Sequence, residues 1–328
     1  MTVEEQRPVQ DPGPNAATHA DAGHLPFSPV PVTSVRPWAG HRLALADEHI
    51  GELWLAGPAS LVAPGGPTLD ELAAARGATL VGQRGMALLG PRFPLLVKLI
   101  DAADWLSLQV HPGDALAREL YGPDAVGKTE AWVVLDGTQA TPFVTGPASG
   151  LGPDQVRAVI ADGTMGLRHC TTTVAAAGDV LLLRAGTIHA IGAGALVYEI
   201  EQPSDLTFRI SDWGRPTGRT LHTAESLRAV DPAAHAEPRG SGFVIDGGML
   251  EVPEFRLELV RGGVDPTTRT PAGRSLEVLT VLGGSAVVRG AGWSETLTAP
   301  ATLVVPAAVP SYRLEPAADA LIAIAGIP

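Results

Sequence analysis

The chain has 328 residues, among them 38 Gly and 29 Pro, and a formal net charge of −12 at pH 7. That length suits two domains with cores of ordinary size, and the acidic balance argues against nucleic-acid partners, which call for clustered Lys and Arg. The single cysteine, Cys170, excludes an internal disulfide and reads as a small buried apolar residue. No run of about 18 uncharged apolar residues is present, so no membrane span is expected. The N-terminal stretch lacks the basic flank and apolar core of a signal peptide, and a cytoplasmic protein is the expectation.

Residues 1–28 are polar and rich in Pro, Ala and Asp, which predicts a disordered leader. From Val30 onward, short apolar runs alternate with Gly and Pro: ELWLAG, FPLLVKLI, LSLQVHP, AWVVLDG, DVLLLRAGTIHAIG, LVYEIEQ, then FRLELVRGG, LEVLTVLGGSAVV, ATLVVPAAV and LIAIAG. Runs of this length with β-branched residues between turn formers predict strands, and their number predicts an all-β dominated fold, a sandwich or barrel. Helices are predicted at 69–77, 114–122, 152–163 and 222–230, the last with Thr223 as its cap. The stretch Glu130-Ala-Trp-Val-Val-Leu-Asp-Gly137 echoes Glu277-Val-Leu-Thr-Val-Leu-Gly-Gly284 at identical spacing. Asp179 to His189 likewise lies over Ala301 to Ser311 without a gap, so two β-barrel units in tandem are expected, with Ser311 standing where the first has His189. The expected division is a leader at 1–28, a chemistry-bearing domain at 29–235 and a second, metal-free domain at 236–328.

Gln109 and His111 stand at i and i+2, so on a strand both side chains point to one face. Glu130 heads the AWVVL strand one hairpin later, and His189 closes a Gly186-Thr-Ile turn. Two imidazoles, a carboxylate and an amide oxygen form a donor set suited to Zn²⁺, with room for a water or substrate oxygen. Of the 23 basic residues only Lys98 and Lys128 are lysines, and both fall within this motif region.

The blocks LLVKLIDAADWLSLQVHPGDALA, GKTEAWVVL and AGTIHAIGAGALVYEIEQPSDLTFRISDWGR resemble, in order, the motifs of type I mannose-6-phosphate isomerases of the cupin superfamily, especially the short bacterial form. RPWAGHRL, IGELWLAG, GPRFPLLVK and GRTLH extend the resemblance over most of residues 30–230. It implies tandem cupin (jelly-roll) units and the interconversion of mannose 6-phosphate and fructose 6-phosphate with one zinc ion per chain. By position it implies Gln109, His111, Glu130 and His189 as zinc ligands. Lys98 and Ser107 stand near the phosphate, joined by Arg215 where some members have Lys. Lys128, Glu199 and Arg209 surround the reacting carbons.

Moving a proton between adjacent carbons through a cis-enediolate needs a base and charge stabilisation. Either Glu199 or Lys128 fits the base, Lys128 only with a depressed pKa, for which Arg209 and the metal are the expected cause. Arg209 otherwise stabilises the developing negative charge. Trp38, Trp54, Trp132 and Trp213 read as core or cavity wall, and Asp114 and Asp212 as turn residues. A sugar phosphate is the expected partner of a monomer or homodimer, with no nucleic acid and no membrane. The alternatives are another metal-dependent sugar isomerase, disfavoured by Gln-Val-His where cupin oxygenases carry His-x-His, and a non-catalytic sugar-binding bicupin, disfavoured by the intact acid/base set.

Overall fold

A computed structural model describes residues 6–8, 24–43, 49–136, 141–240 and 248–328. Of the predicted leader, residues 1–5 and 9–23 lie outside the described residues. Gln6–Pro8 is a strand and Phe27 is buried, bridging Val304 through main-chain bonds of 3.1 and 2.9 Å, so this part of 1–28 belongs to the fold. The chain divides into two compact units that are interleaved in sequence. One, here the site-bearing unit, comprises Ser34–Glu52 and Leu99–Ser241; the second comprises Met1–Thr33, Leu53–Lys98 and Gly242–Pro328. The change near Ser241 lies close to the expected boundary at 235, but 53–98 falls in the unit that carries the C-terminal strands.

In the site-bearing unit, the antiparallel strands Leu196–Glu201, Glu130–Asp136, Val180–Leu183 and Glu237–Arg239 lie side by side in that order. Pro142–Pro147 runs between Ala190–Ile191 and Cys170–Val174, while Leu108–Val110 pairs with Phe208–Ser211. The period-2 geometry of strands sorts the side chains. Trp132, Val134, Leu181, Leu183, Val197, Phe143 and Ile191 meet in an interior cluster. The residues of opposite parity, Leu108, Val110, Val144, Ile188, Ala190, Phe208 and Ile210, form a separate cluster under Val156 and Ile160. Those two project from the helix Pro153–Ala161, and Leu227 of the helix Thr223–Ala229 packs against the same cluster.

The second unit faces a five-stranded sheet, ordered 249–252, 255–261, 321–326, 277–283 and 301–305, with a four-stranded one, ordered 267–269, 312–316, 285–290 and 293–298. Leu279, Leu303 and Ile324 from the first meet Val288, Leu297 and Leu314 from the second. The ladders of both units are open, so the closed barrels of the sequence reading are not present as such; the strand-dominated class is. The echo is realised in register. Glu130 lies opposite Leu183 on one side and Glu201 on the other, and Glu277 lies opposite Val305 and Gly326.

The four expected helices form as Leu69–Arg76 (α1), Asp114–Tyr121 (α3), Pro153–Ala161 (α4) and Thr223–Ala229 (α5). α1 starts with a reciprocal capping box, Glu71 N–H donating to Thr68 Oγ1 at 3.1 Å and Thr68 N–H to the Glu71 carboxylate at 2.8 Å. Thr223 is the first residue of α5 and not its cap, which is His222. A fifth helix, Ala78–Leu89 (α2), was not foreseen, because its glycines break the apolar period. At Gly82, φ is +79° and the helix breaks. The freed N–H groups of Gln83 and Arg84 then donate to the Gly273 and Arg274 carbonyls, each at 2.9 Å, and a Cβ at Gly82 would collide with that backbone.

The buried Glu277 carboxylate of the second unit is met by Tyr312 Oη at 2.6 Å, Arg269 Nη2 at 2.8 Å and Arg256 Nη2 at 3.1 Å. Tyr312, and not the exposed Ser311, therefore fills the inward place, one residue later than the sequence echo implied. Tyr312→Phe deletes a donor to a buried anion. The expected outcome is a loss of about 1–3 kcal/mol of unfolding free energy in urea denaturation; an unchanged midpoint would show that the arginines alone satisfy the carboxylate.

Candidate metal centre

The interior of the site-bearing unit is apolar except at one end, where parity brings the polar side chains inward. Glu130 precedes Trp132 and Val134 on the same strand face, and Glu199 and Glu201 follow Val197 on theirs. Gln109 and His189 exchange two main-chain hydrogen bonds of 3.0 Å, and Arg209 lies directly opposite Gln109 on its other neighbour. Gly186, at φ +89°, turns the chain before His189 and donates its N–H to the His111 carbonyl at 2.9 Å; a Cβ there would press on the Ala229 carbonyl and Asp231.

His111 Nδ1 is 2.9 Å from the Leu206 carbonyl and His189 Nδ1 is 2.8 Å from that of Thr187. A carbonyl oxygen only accepts, so each neutral ring carries its proton on Nδ1 and turns an Nε2 lone pair inward. The two Nε2 atoms are 3.1 Å apart and lie 3.4 and 3.3 Å from the Glu130 carboxylate oxygens. Glu130 Oε1 is buried and accepts no hydrogen bond among the described residues. Burial, with Lys128 adding to it, pushes the His111 imidazole down to about 3 and burial lowers His189, so both stay neutral. Burial alone would raise Glu130, but the Lys128 ammonium holds it well below the usual carboxylate range.

Lys128 reaches Glu130 and His111 but not His189, so the three converging acceptors are drawn together by no single donor, and an ion held by all three would join them. Bonds of about 2.0–2.1 Å to one tetrahedral ion place donors about 3.3–3.4 Å apart, close to the separations seen. The residues therefore fit a metal ion, with the main-chain carbonyls fixing both tautomers. Gln109 is the fourth expected donor. Its Nε2 stands 3.1 Å from His189 Nε2, while Ser107 Oγ donates to its Oε1 at 3.1 Å; a half-turn of the amide exchanges the two atoms. Ser107, expected near a phosphate, thus positions Gln109.

Lys128 Nζ lies 2.6 Å from Glu201, 2.7 Å from Glu130 and 3.3 Å from His111 Nε2. Burial by itself would lower it, but Glu130, Glu199 and Glu201 hold the ammonium well above the usual lysine range. Its neighbours are these carboxylates and not the Arg209 guanidinium, one of the two expected causes of a depressed Lys128. Glu199 accepts from Trp132 Nε1 at 2.7 Å across the same sheet.

Arg209 donates to the Thr220 carbonyl at 2.8 Å; burial, then Arg219, lowers it to about 10, leaving it a cation at neutral pH. Arg215 donates to Asp212 and the Trp105 carbonyl, both at 2.6 Å, and Arg219 to Asp212 at 3.3 Å. Lys98 belongs to the second unit, where its Nζ sits 5.6 Å from the centre of the Trp54 ring. Sequence reading missed Glu201, Arg219 and the anchoring role of Asp212. The signal for Glu201 was its i+2 spacing from Glu199; the arginine cluster joins loops and left no periodic trace. Asp114, read as a turn residue, accepts from Gly127 N–H at 2.8 Å and Gln202 Nε2 at 3.0 Å and so fixes the segment that carries Lys128. Trp38, Trp54 and Trp132 are core.

Residues 33–127 match the family model for the type I phosphomannose isomerase catalytic domain. The mannose-6-phosphate isomerase of Streptococcus mutans is 36% identical over 221 residues, which span 61% of this chain and 67% of that one. The chain belongs to the type I phosphomannose isomerase family. The fold agrees: a mannose 6-phosphate isomerase from Bacillus subtilis superposes with a TM-score of 0.75 at 24% identity, covering 92% of this chain and 99% of that one. A mannose 6-phosphate isomerase solved with zinc bound gives 0.71 at 14% identity, covering 93% and 100%. The phosphomannose isomerase model ends before Glu130, so Glu130 and His189 lie beyond it.

Among the described residues no helix is long and apolar enough to cross a membrane. The expected outcome of His189→Ala is loss of bound metal by elemental analysis of the purified protein, whereas Ser311→Ala retains it. Full metal content in His189→Ala would remove His189 from the ligand set.

Proposed function

We propose that this chain interconverts D-mannose 6-phosphate and D-fructose 6-phosphate, with one Zn²⁺ per chain held by Gln109, His111, Glu130 and His189. The observation that carries the reading is the convergence of two imidazole lone pairs on the Glu130 carboxylate beside a second carboxylate, Glu199, and a locked ammonium, Lys128. The zinc supplies Lewis-acid polarisation of the substrate's carbonyl or hydroxyl oxygen.

The remaining steps belong to side chains. An ammonium held by carboxylates has no lone pair to offer, so Glu199 is assigned as the base that carries the proton between C2 and C1 of the sugar. Lys128 and Arg209 offer positive charge to the enediolate oxygens. Trp132 orients Glu199 through its indole N–H, and the apolar residues behind it exclude water. The phosphate is assigned to the arginine side of the site, where Arg209, Arg215 and Arg219 gather around Asp212. Lys98 and Ser107 remain proposed contributors to phosphate binding, Ser107 through Gln109.

A coupled assay for fructose 6-phosphate formed from mannose 6-phosphate, run before and after chelation and again with Zn²⁺ restored, tests the reading. Activity should vanish on chelation and return with zinc. A zinc-loaded protein that leaves mannose 6-phosphate untouched while turning over glucose 6-phosphate or free mannose would overturn it. Glu199→Gln is expected to lower kcat by about 10²–10⁴-fold with metal content unchanged; a loss confined to KM would assign the base elsewhere.

A further inference from the structure

The second unit carries a half-open polar recess of about 260 Å³ for which the proposed reaction has no use. Its wall carries four guanidinium groups, Arg84, Arg256, Arg269 and Arg274, against one carboxylate, Glu277. Arg256 and Arg269 answer Glu277, and Arg269 also reaches Glu258 at 2.8 Å. Counting Glu258 with Glu277, four cations against two anions leave a formal excess of two. The excess resides on Arg84 and Arg274, which have no carboxylate partner among the described residues. Arg84 Nη1 donates only to the Ile327 carbonyl at 3.3 Å, and Arg274 Nη2 to the Thr270 carbonyl at 3.0 Å, with its hydroxyl at 3.4 Å. Arg256 Nε is buried with no acceptor among the described residues.

The two arginines, both exposed, are tied together at the main chain. The break at Gly82 lets Arg84 N–H donate to the Arg274 carbonyl at 2.9 Å, tying the helix that carries one guanidinium to the turn that carries the other. Like charges gathered in a partly buried recess repel each other, and the arrangement is stabilised by an anion that shares them. Guanidinium forks match the oxygens of a phosphate in pairs, and the Thr268 and Thr270 hydroxyls on the same wall add further donors. The volume falls just below the usual range of about 300–1,000 Å³ for drug-sized ligands, which suits a phosphate group on a small carrier.

We propose that this cavity is a second anion site, separate from the metal centre, that binds inorganic phosphate or a compact phosphate monoester. The test is isothermal titration of the full zinc-loaded chain with inorganic phosphate and, in a separate arm, with glycerol 3-phosphate, comparing the wild type with Arg84→Gln/Arg274→Gln. A binding component for at least one anion should weaken at least tenfold in the variant, while kcat/KM for mannose 6-phosphate, assayed without added phosphate, stays within twofold. The arm that shows the loss identifies free phosphate or an ester as the ligand. Isotherms that coincide in wild type and variant, or the absence of any binding, overturn the proposal. Should the double variant fail to fold, the rise of Tm with phosphate concentration is compared between wild type and Arg274→Gln alone: it should be at least halved, and an equal rise overturns the proposal. Neither residue lies in the metal centre, so this result and the turnover assay fail independently.

Discussion

Each unit buries a carboxylate at the head of a strand that lies between two antiparallel neighbours. Burying such a group without compensation costs several kcal/mol, so the surrounding sequence has to deliver positive charge to that point. Glu130 and Glu277 occupy equivalent places between two antiparallel neighbours. The two units meet the requirement with different chemistry. Around Glu277, two guanidinium groups and a tyrosine hydroxyl satisfy the carboxylate. Around Glu130, Lys128 satisfies one oxygen, while the imidazoles present lone pairs to both. The first arrangement is complete as a structural ion pair; the second is stable with a metal ion.

Strand parity is what makes this placement possible. A strand with one face in the interior and the other under helices α4 and α5 can carry Gln109 or Arg209 inward without disturbing Leu108, Val110, Phe208 or Ile210 on the opposite side. The polar end of the interior is thus fixed by two apolar clusters, which limits how far a donor atom can stray from its neighbours.

Much of the site was legible because it is written in short-range spacing. Gln109 and His111 at i+2, the head position of Glu130 and the Gly186 turn before His189 all follow from local backbone rules, and the echo around Glu277 was readable for the same reason. What escaped depends on contacts between segments remote in sequence. Helix α2 carries an apolar period interrupted by glycine, and its break at Gly82 makes sense only beside the 273–274 turn. An ungapped overlay placed Ser311 over His189 because it cannot register a strand that delivers its inward side chain one residue later, as Tyr312 does. The carboxylate surroundings of Lys128 escaped as well, because Arg209 lies on the other sheet in space, while Glu201 lies directly opposite Glu130.

Counting charges draws these features together. At the metal centre Glu130, Glu199 and Glu201 contribute −3 and Lys128 +1, with both histidines neutral, which leaves −2. A divalent ion cancels that remainder; a monovalent one would leave a buried charge. Around Glu277 the inner set closes without any ion, since Glu258 and Glu277 offset Arg256 and Arg269. Arg84 and Arg274 then stand outside a neutral set, so their positive charge is presented to the cavity. The same backbone register thus leaves a negative remainder in one unit and a positive one in the other, and the sign of that remainder decides whether the place attracts a cation or an anion.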